Sequence, residues 1–498
     1  MTNVDFLEPE AMRAAVSGRW LDDSVTCSVS PAGVVIDSRE ALQSNCFVAI
    51  VGDRTDGHLW LASAVEGGAA MLIVQEDRLN ALEGIADRTV PILVVSDTRE
   101  ALSQLASAWR TRLGAVVIGI TGSAGKTTTR RLVQSICERH IKDAGAEHEG
   151  GGCTASIKSY NNDIGVPLTM LRARSDDRFL ILEIGTNAPG EIAALSRLAR
   201  PDLVVITNVG RAHLEGLGSL EGVAREKASI LEGLPEGGVV VLPSEPGPLR
   251  DAVEARDCGG LKMRHFGSGG EGLSLAGRRT SDASGAQALT CSDGFEARIQ
   301  LPGVHNALNA LAAIRVAREL GIGENAIGMG LAELAPDPMR FSGELIGETG
   351  IMLYNDAYNA NPDAVLAALA TFGELSSDAI RRVVILGDMM ELGQDSPRLH
   401  AEVGHAVVEL CATVELSHVV FIGAHSSHGA RVVVDSEADL MVVELTELDE
   451  VRAAGIAGMI EPGDSVLIKG SRSQALERVV DSIRAAVGAA VSSDPQSV

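Results

Sequence analysis

The sequence predicts an α/β protein of three domains, and three observations carry that expectation. A chain of 498 residues exceeds what one hydrophobic core serves. Near-continuous apolar runs of four to six residues alternate with helical stretches, the pattern of strands covered on both faces of parallel sheets. The run 116–120 breaks directly into Thr121-Gly122-Ser123-Ala124-Gly125-Lys126-Thr127-Thr128-Thr129, which reads as a buried strand, a tight glycine turn and a helix start.

Composition narrows the functional classes. Apolar residues make up 45% and charged residues 22%, with 54 glycines, which fits a globular chain and argues against disorder or a coiled coil. The net charge of −25 opposes long-range attraction to nucleic acid or anionic membrane, so an anionic substrate must be met by local basic groups. No apolar stretch approaches the roughly eighteen residues of a membrane span, and Met1-Thr2-Asn3-Val4-Asp5 lacks the features of a signal peptide. A soluble, cytoplasmic protein without membrane insertion is expected. Seven cysteines are scattered without a C-x-x-C pair, so neither a disulfide framework nor a zinc site is suggested.

In chain order, residues 1–112 form the first expected domain, with strands at 33–36, 46–51, 71–74 and 91–95 and an exit helix at 99–112. Two polar clusters follow strands there, Asp37-Ser38-Arg39 and Gly52-Asp53-Arg54-Thr55-Asp56-Gly57-His58. Loops in that position usually carry function, although each is also compatible with a turn holding a solvated ion pair. Residues 113–335 form the second domain, with strands at 116–120, 179–184, 203–207 and 239–242. Its segment 143–152 reads as an exposed loop, 267–292 as a surface hairpin region and 305–320 as a helix. Pro336 and Pro338 punctuate the start of the third domain, 336–498, with strands at 351–354, 382–386, 418–422 and 465–468 and a helix at 362–372. It has a Rossmann-type pattern without G-x-G-x-x-G, so no dinucleotide is implied, and the tail after Ala490 is expected to be disordered.

The glycine turn points to a phosphate. Backbone N–H groups from Gly122, Ser123, Ala124 and Gly125 and the positive end of the following helix converge, while Lys126 adds a charge and Thr127 and Thr128 add hydroxyls. Residue 120 is Ile where a strict Walker A motif wants glycine, leaving the shorter G-x-x-G-K-T form from Gly122 to Thr127. A nucleoside triphosphate is the natural ligand, and its transfer chemistry needs Mg²⁺ held by hard donors. Glu183 ends an apolar run and emerges at the same sheet edge. His213 follows the next strand, and Lys227 lies in a helical stretch. Read singly, Glu183 favours a functional carboxylate over a lone edge one, His213 is as compatible with an ordinary loop histidine, and Lys227 reads as a solvated helix lysine. The residues alone reach an Mg²⁺-dependent, ATP-using enzyme and no further.

Taken together, these motifs resemble the Mur ligase family of peptidoglycan synthesis over essentially the whole chain. The resemblance rests on the short P-loop, Glu183, Asn208-Val209-Gly210-x-x-His213, Lys227, His305-Asn306-x-x-Asn309 and Arg340. Further pieces are most similar to the branch that adds a D-alanyl-D-alanine dipeptide. They are Asn161-Asn162-Asp163-Ile164-Gly165-Val166-Pro167, His213-Leu214-Glu215-Gly216-Leu217-Gly218-Ser219, Asn355-Asp356-Ala357-Tyr358-Asn359-Ala360-Asn361-Pro362, Leu386-Gly387-Asp388-Met389-x-Glu391-Leu392-Gly393 and Lys469-Gly470-Ser471-Arg472.

The resemblance implies UDP-MurNAc-tripeptide and D-Ala-D-Ala as substrates, ATP as phosphoryl donor, two Mg²⁺ sites and a monomer. It implies Lys126 and the loop amides on the β- and γ-phosphates, Thr127 and Glu183 on one Mg²⁺, and His213 with a carbamylated Lys227 on the second. Asn306 and Asn309 would lie near adenine, Asp356 near ribose, and Arg340 on the transferring phosphate. Substrate contacts would come from Ser38, Arg39, Asn161, Asn162, Thr186, Asn187, Tyr358, Asn359 and Asn361. The alternatives are a Mur-type ligase that adds a single amino acid, and a nucleotide-binding protein without ligase activity. Three departures from the family pattern touch substrate contacts and the hinge: Ser159-Tyr160-Asn161-Asn162-Asp163, Met339 before Arg340, and a longer loop before residue 153.

Overall fold

A computed structural model describes residues 8–22, 30–40, 44–52, 55–85, 90–145, 151–157, 159–256, 258–281, 285–376 and 379–492. Among these, the strands form three α/β sheets. The first comprises β1 (Arg19–Trp20), β2 (Val34–Val35), β3 (Cys46–Val48), β4 (Met71–Gln75) and β5 (Ile92–Val95), in the order β1-β5-β4-β3-β2. Strands β2 to β5 run parallel, and β1 closes the edge antiparallel to β5. The exit helix Thr98–Arg110 starts where Asp97 accepts from the backbone N–H groups of Arg99 and Glu100 (2.8 and 2.9 Å), a side-chain N-cap.

The second sheet comprises β6 (Val116–Thr121), β7 (Cys153–Ala155), β8 (Phe179–Glu183), β9 (Leu203–Ile206), β10 (Val239–Pro243), β11 (Lys262–Gly267), β12 (Leu273–Thr280), β13 (Gln287–Cys291) and β14 (Glu296–Ile299). Its order is β14-β13-β12-β11-β10-β9-β6-β8-β7, parallel from β7 through β12, with β12 to β14 forming an antiparallel extension. The expected surface hairpin is thus part of a continuous sheet. Strand β6 lies between β9 and β8, in register Ile120 to Glu183 and Thr121 to Ile206, so the carboxyl ends of three strands meet at one place. In open α/β sheets this edge is where ligands bind.

The third sheet comprises β15 (Ser342–Ile346), β16 (Ile351–Asp356), β17 (Arg381–Gly387), β18 (His418–Ile422), β19 (Met441–Leu445) and β20 (Asp464–Lys469), in the order β15-β16-β20-β17-β18-β19. All pairs are parallel except β15 with β16. The helix Glu477–Ser492 reaches two residues past Ala490; the rest of the tail expected to be disordered, residues 493–498, lies outside the described set, as do Asp53, Arg54, Cys27 and residues 146–150 of the expected loop.

Apolar clusters tie these layers together. Trp109 is fully buried, its indole N–H donates to the Ala173 carbonyl (2.9 Å), and it belongs to a core shared by the first and second sheets. A second cluster joins the other face of the central sheet to the helices Lys126–Asp143 and Val304–Glu319. Burying apolar side chains of this size contributes about 1.5–3 kcal/mol each, which holds the helix behind the glycine turn firmly to its sheet. A third cluster, on the C-terminal sheet, also takes in Leu214 and Val223 from the central layer.

Candidate active site

The glycine turn has the geometry an anion needs. Gly122 (φ +149°) and Gly125 (φ +79°) occupy backbone conformations that side chains rarely adopt, and a Cβ at either would collide, with Thr207 Oγ1 and Asn309 Oδ1 respectively. Gly125 caps the helix Lys126–Asp143 without a side-chain hydrogen bond, so first-turn N–H groups remain available to a ligand. The loop is fastened from behind: Ala124 N donates to Asn208 Oδ1 (2.8 Å), and Thr207 Oγ1 donates to the Ala124 carbonyl (2.5 Å). Lys126 Nζ donates to the carbonyl of Gly122 (2.7 Å), folded over its own loop. Burial lowers its pKa, the charge of Glu183 opposes that, and Arg340 adds to it.

Glu183 stands beside the loop at the end of β8 and is 2% exposed. Thr127 Oγ1 donates to its Oε2 (2.8 Å) and Asn161 Nδ2 to its Oε1 (3.0 Å), placing a hydroxyl, a carboxylate and an amide in one cluster. Beyond it, Glu191 Oε2 accepts from the N–H groups of Asn187 (2.7 Å) and Ala188 (3.2 Å), and Thr186 Oγ1 donates to the Ala188 carbonyl (2.6 Å). Glu226 accepts from the N–H groups of Gly190 and Ile192, fixing the start of the helix Glu191–Ala199.

Lys227 follows on the helix Leu220–Ala228. It is 0% exposed, and its Nζ has no hydrogen-bond partner among the described residues. Burial pushes its pKa well below that of an ordinary lysine, nearby Lys126 pushes the same way, and Glu226 and Glu191 oppose it. A buried charge without a partner is costly, so the neutral amine is the form this environment favours. His213 caps the short helix Leu214–Leu217 in a left-handed conformation (φ 57°), and its Nδ1 lies 2.5 Å from Glu391 of the C-terminal sheet's loops.

From the third sheet come Arg340, Asp356, Tyr358, Asn359 and Asn361. The Arg340 guanidinium lies over the Tyr358 ring, 4.1 Å from its centroid. Asp356 and Lys469 are register partners at the ends of β16 and β20, joined by a 2.8 Å ion pair, and Lys469 Nζ also donates to the Asn359 carbonyl (2.9 Å). Asn361 caps the helix Pro362–Leu375 through Ala364 N (2.9 Å). Asn306 and Asn309, on the helix Val304–Glu319, are linked to each other (3.2 Å) behind the glycine turn. Adjacent His305 is half-buried, its Nδ1 buried and unpartnered among the described residues, and desolvation holds its pKa down at about 4.

These groups line one cleft of about 750 Å³ between the sheets. Residues 123–128, Asn161, Asn162, Glu183, Thr186, Asn187, His213, Asn306, Asn309, Arg340, Asp356, Tyr358, Asn359 and Asn361 face it together. Gly122 and Lys227 sit behind the lining. Ser38 and Arg39 are not brought to this cleft: Arg39 is exposed and paired with Asp37 through its Nε and Nη2 (2.9 and 2.6 Å).

Three family models match the chain in sequence: "Mur ligase family, catalytic domain" over residues 31–110, "Mur ligase middle domain" over 120–317, and "Mur ligase, glutamate ligase domain" over 339–472. The chain belongs to the Mur ligase family. It is similar to the UDP-N-acetylmuramoyl-tripeptide–D-alanyl-D-alanine ligase of Bacillus subtilis, 34% identical with 90% of this chain and 92% of the relative covered. The enzyme of that name from Escherichia coli is 32% identical, with 91% and 93% covered. Among solved structures, MurF from Acinetobacter baumannii matches with a TM-score of 0.80 at 27% identity, over 97% of this chain and 100% of that one. MurF from Thermotoga maritima in complex with ADP matches with a TM-score of 0.74 at 25% identity, over 94% and 100%.

Several cleft residues of this Mur ligase were not foreseen. Arg99 lines the cleft, donates to the Val51 carbonyl (3.2 Å) and pairs with Asp163 (3.1 Å), linking the first and second sheets' layers. Its place two residues after a helix cap carries no chemical signal. Lys469 also lines the cleft, where the sequence marked it only as part of a motif.

Arg211 is the principal ionic tie between the central and C-terminal layers. Its Nε and Nη2 donate to Asp363 Oδ1 (2.9 and 2.6 Å), its N–H to Asp363 Oδ2 (2.7 Å), and its Nη1 to both oxygens of Glu402 (2.7 and 2.6 Å). Both carboxylates are more than a third exposed, so after solvent screening the tie is worth about 1–2 kcal/mol. Arg211→Ala is expected to shift the ligand-free chain roughly five- to thirtyfold towards separated layers. Small-angle scattering checks this as a larger radius of gyration, with the difference from the unsubstituted chain shrinking at high salt; superimposable profiles would sink it.

Proposed function

We propose that this Mur ligase joins D-Ala-D-Ala to the terminal carboxylate of UDP-MurNAc-tripeptide at the expense of ATP, in the cytoplasm and as a monomer. The observation that carries the reading is the convergence, in one cleft, of an anion-binding loop with Lys126, the Thr127–Glu183 pair and Arg340 from another sheet. The names of the relatives supply the substrates. Residues 1–112, 113–335 and 336–498 act as three units around that cleft. Among the described residues no helix is long and apolar enough to cross a membrane.

In the reaction, the substrate carboxylate attacks the γ-phosphorus of ATP in line. A carboxylate oxygen–phosphorus bond forms, the bond to the β-phosphate oxygen breaks, and acyl phosphate and ADP result. The free amine of the dipeptide then attacks the acyl carbon, loses a proton, and phosphate leaves with its electron pair to give the amide. The loop N–H groups and Lys126 hold the β- and γ-phosphates, and Arg340 meets the charge on the transferring group. Asn306 and Asn309 border adenine, and Asp356, steadied by Lys469, the ribose. Asn161, Asn162, Thr186, Asn187, Tyr358, Asn359 and Asn361 orient the two substrates, and Ser38 and Arg39 contact the UDP-bearing substrate in a position nearer the first sheet. An acyl phosphate hydrolyses in water, so enclosure of the cleft by all three units is a chemical requirement.

The donor set fits two Mg²⁺ ions. Among the described residues no three His, Cys, Asp or Glu side chains converge on their own. The set therefore needs its hydroxyl and its lysine. Thr127 and Glu183 would hold one ion. His213 and a carbamylated Lys227 would hold the second, the buried unpartnered amine being the feature that accepts the modification: a neutral amine adds to CO₂ and releases a proton, turning an uncharged amine into an anionic oxygen donor. Bound there, Mg²⁺ supplies neutralisation of phosphate and carboxylate charge.

Phosphate release with UDP-MurNAc-tripeptide plus D-Ala-D-Ala, set against UDP-MurNAc-dipeptide plus diaminopimelate or lysine, is the deciding experiment. Release at least about a hundredfold faster with the first pair is expected. Activity only with the dipeptide would identify a single-amino-acid ligase instead, and ATP hydrolysis indifferent to either acceptor would indicate nucleotide binding without ligation.

A further inference from the structure

His213 and Glu391 are 178 positions apart in the chain and belong to different layers, yet the fold presses them together. Leu214 is buried in the same apolar cluster as Met389 and Leu392, so the helix Leu214–Leu217 is seated in the C-terminal layer beside the loop carrying Glu391. Glu215 N donates to the Glu391 carbonyl (3.1 Å), and Gly393 packs against Glu215 while holding a left-handed backbone conformation (φ 56°). Both His213 (φ 57°) and Glu391 (φ 61°) hold left-handed backbone conformations that are uncommon outside glycine. Such strain persists where surrounding contacts over-determine it. Glu391 Oε2 lies 2.5 Å from His213 Nδ1, a buried atom with no aligned hydrogen-bond partner among the described residues.

We propose that Glu391 is a positioning residue for His213: docking of the C-terminal layer brings its carboxylate to His213 Nδ1, which keeps the proton on Nδ1 and leaves Nε2 as the lone-pair nitrogen. This rests on the reading of His213 as a Mg²⁺ ligand, for which a free lone pair and a fixed ring are both required. It explains the Met389-x-Glu391-Leu392-Gly393 motif, which the phosphate chemistry leaves unused: Met389 and Leu392 seat the loop, Gly393 takes its left-handed turn and Glu391 makes the contact. The metal site is then complete only when the C-terminal layer is docked, which couples closure of the cleft to the competence of its chemistry.

The test uses the full-length chain with ¹⁵N-labelled histidine at pH 8, the His213 ring being identified by its loss in His213→Gln. Long-range ¹H–¹⁵N correlations are expected to show the Nδ1–H tautomer in the unsubstituted protein and in Glu391→Gln, whose amide oxygen still accepts, and the Nε2–H tautomer in Glu391→Ala. In assays, Glu391→Ala is expected to lower kcat about 10- to 100-fold with KM for ATP within about threefold, and Glu391→Gln to restore most of the loss. Glu391→Asp, too short to reach, should behave as Glu391→Ala and guards against a folding defect peculiar to the truncation. An unchanged tautomer in both shortened variants, or a doubly protonated ring in the unsubstituted protein, would overturn the proposal. Full turnover in His213→Gln would instead remove the metal role of His213, while the tautomer measurement still decides whether Glu391 sets the ring.

Discussion

Lys227→Ala is expected to lower kcat by at least about a thousandfold, and short carboxylic acids such as acetate or propionate are expected to restore part of it. The restoration follows from what the side chain supplies. Lys227 is wholly buried with an unpartnered amine, and burial drives that amine towards its neutral form. As an amine it offers no anionic oxygen, whereas as a carbamate it places a carboxylate-like group at the end of a four-carbon stem, and a small acid diffusing into the space vacated by the stem can substitute. Lys227→Met separates chemistry from stability. It keeps most of the stem's volume and removes a buried polar group, so it should be equally inactive yet melt no lower than the unsubstituted protein. Lys227→Ala leaves a cavity and should melt lower, large-to-small changes of this kind costing about 2–5 kcal/mol. Measuring kcat with and without acetate, alongside thermal melting, checks each part. Full activity in either variant refutes the carbamate role.

What could be read from the chain before its structure follows the range of the interactions. The glycine turn is legible because its strand, turn and helix start are contiguous, and Glu183 because a carboxylate ending an apolar run must emerge at the carboxyl edge of a parallel sheet. Lys227 is the opposite case. In Arg225-Glu226-Lys227-Ala228 it reads as a solvated helix lysine, and its burial arises only when the helix Leu220–Ala228 packs beneath Glu191 and the glycine turn. Here resemblance to a family identified a residue that periodicity misplaced. The three-sheet architecture was legible from the apolar runs, but the antiparallel edges were not: β1 and β15 are set by pairing with strands far along the chain or by a tight reversal, and neither has the uninterrupted apolar signature of the inner strands. Ser38 and Arg39 fell outside the central cleft because loops of the first sheet project where that sheet lies, a rigid-body matter with no local signal. Arg99 and the contact of Glu391 with His213 were invisible for the same reason, being made only when separate layers dock.

Lys126 carries the second large effect. Its ammonium group now donates to the Gly122 carbonyl (2.7 Å), and when a triphosphate enters, that hydrogen bond can be exchanged for phosphate oxygens with little movement of the stem. Two influences compete over its charge: burial and Arg340 lower its pKa, while Glu183 raises it. Bound phosphate adds several negative charges at contact distance, which settles the competition in favour of the charged form. Charge-assisted contacts of this kind gain strength as the leaving ADP and the transferring group develop charge, so more is lost in the transition state than in binding. If, as proposed, the lysine reaches the β- and γ-phosphates, Lys126→Met should reduce kcat about a thousandfold while weakening ATP binding by only about tenfold, and ADP binding by less. Steady-state phosphate release and calorimetric titration of both nucleotides distinguish these effects. Turnover within about tenfold of the unsubstituted enzyme would mean that the loop N–H groups and Arg340 bear the phosphate charge without it.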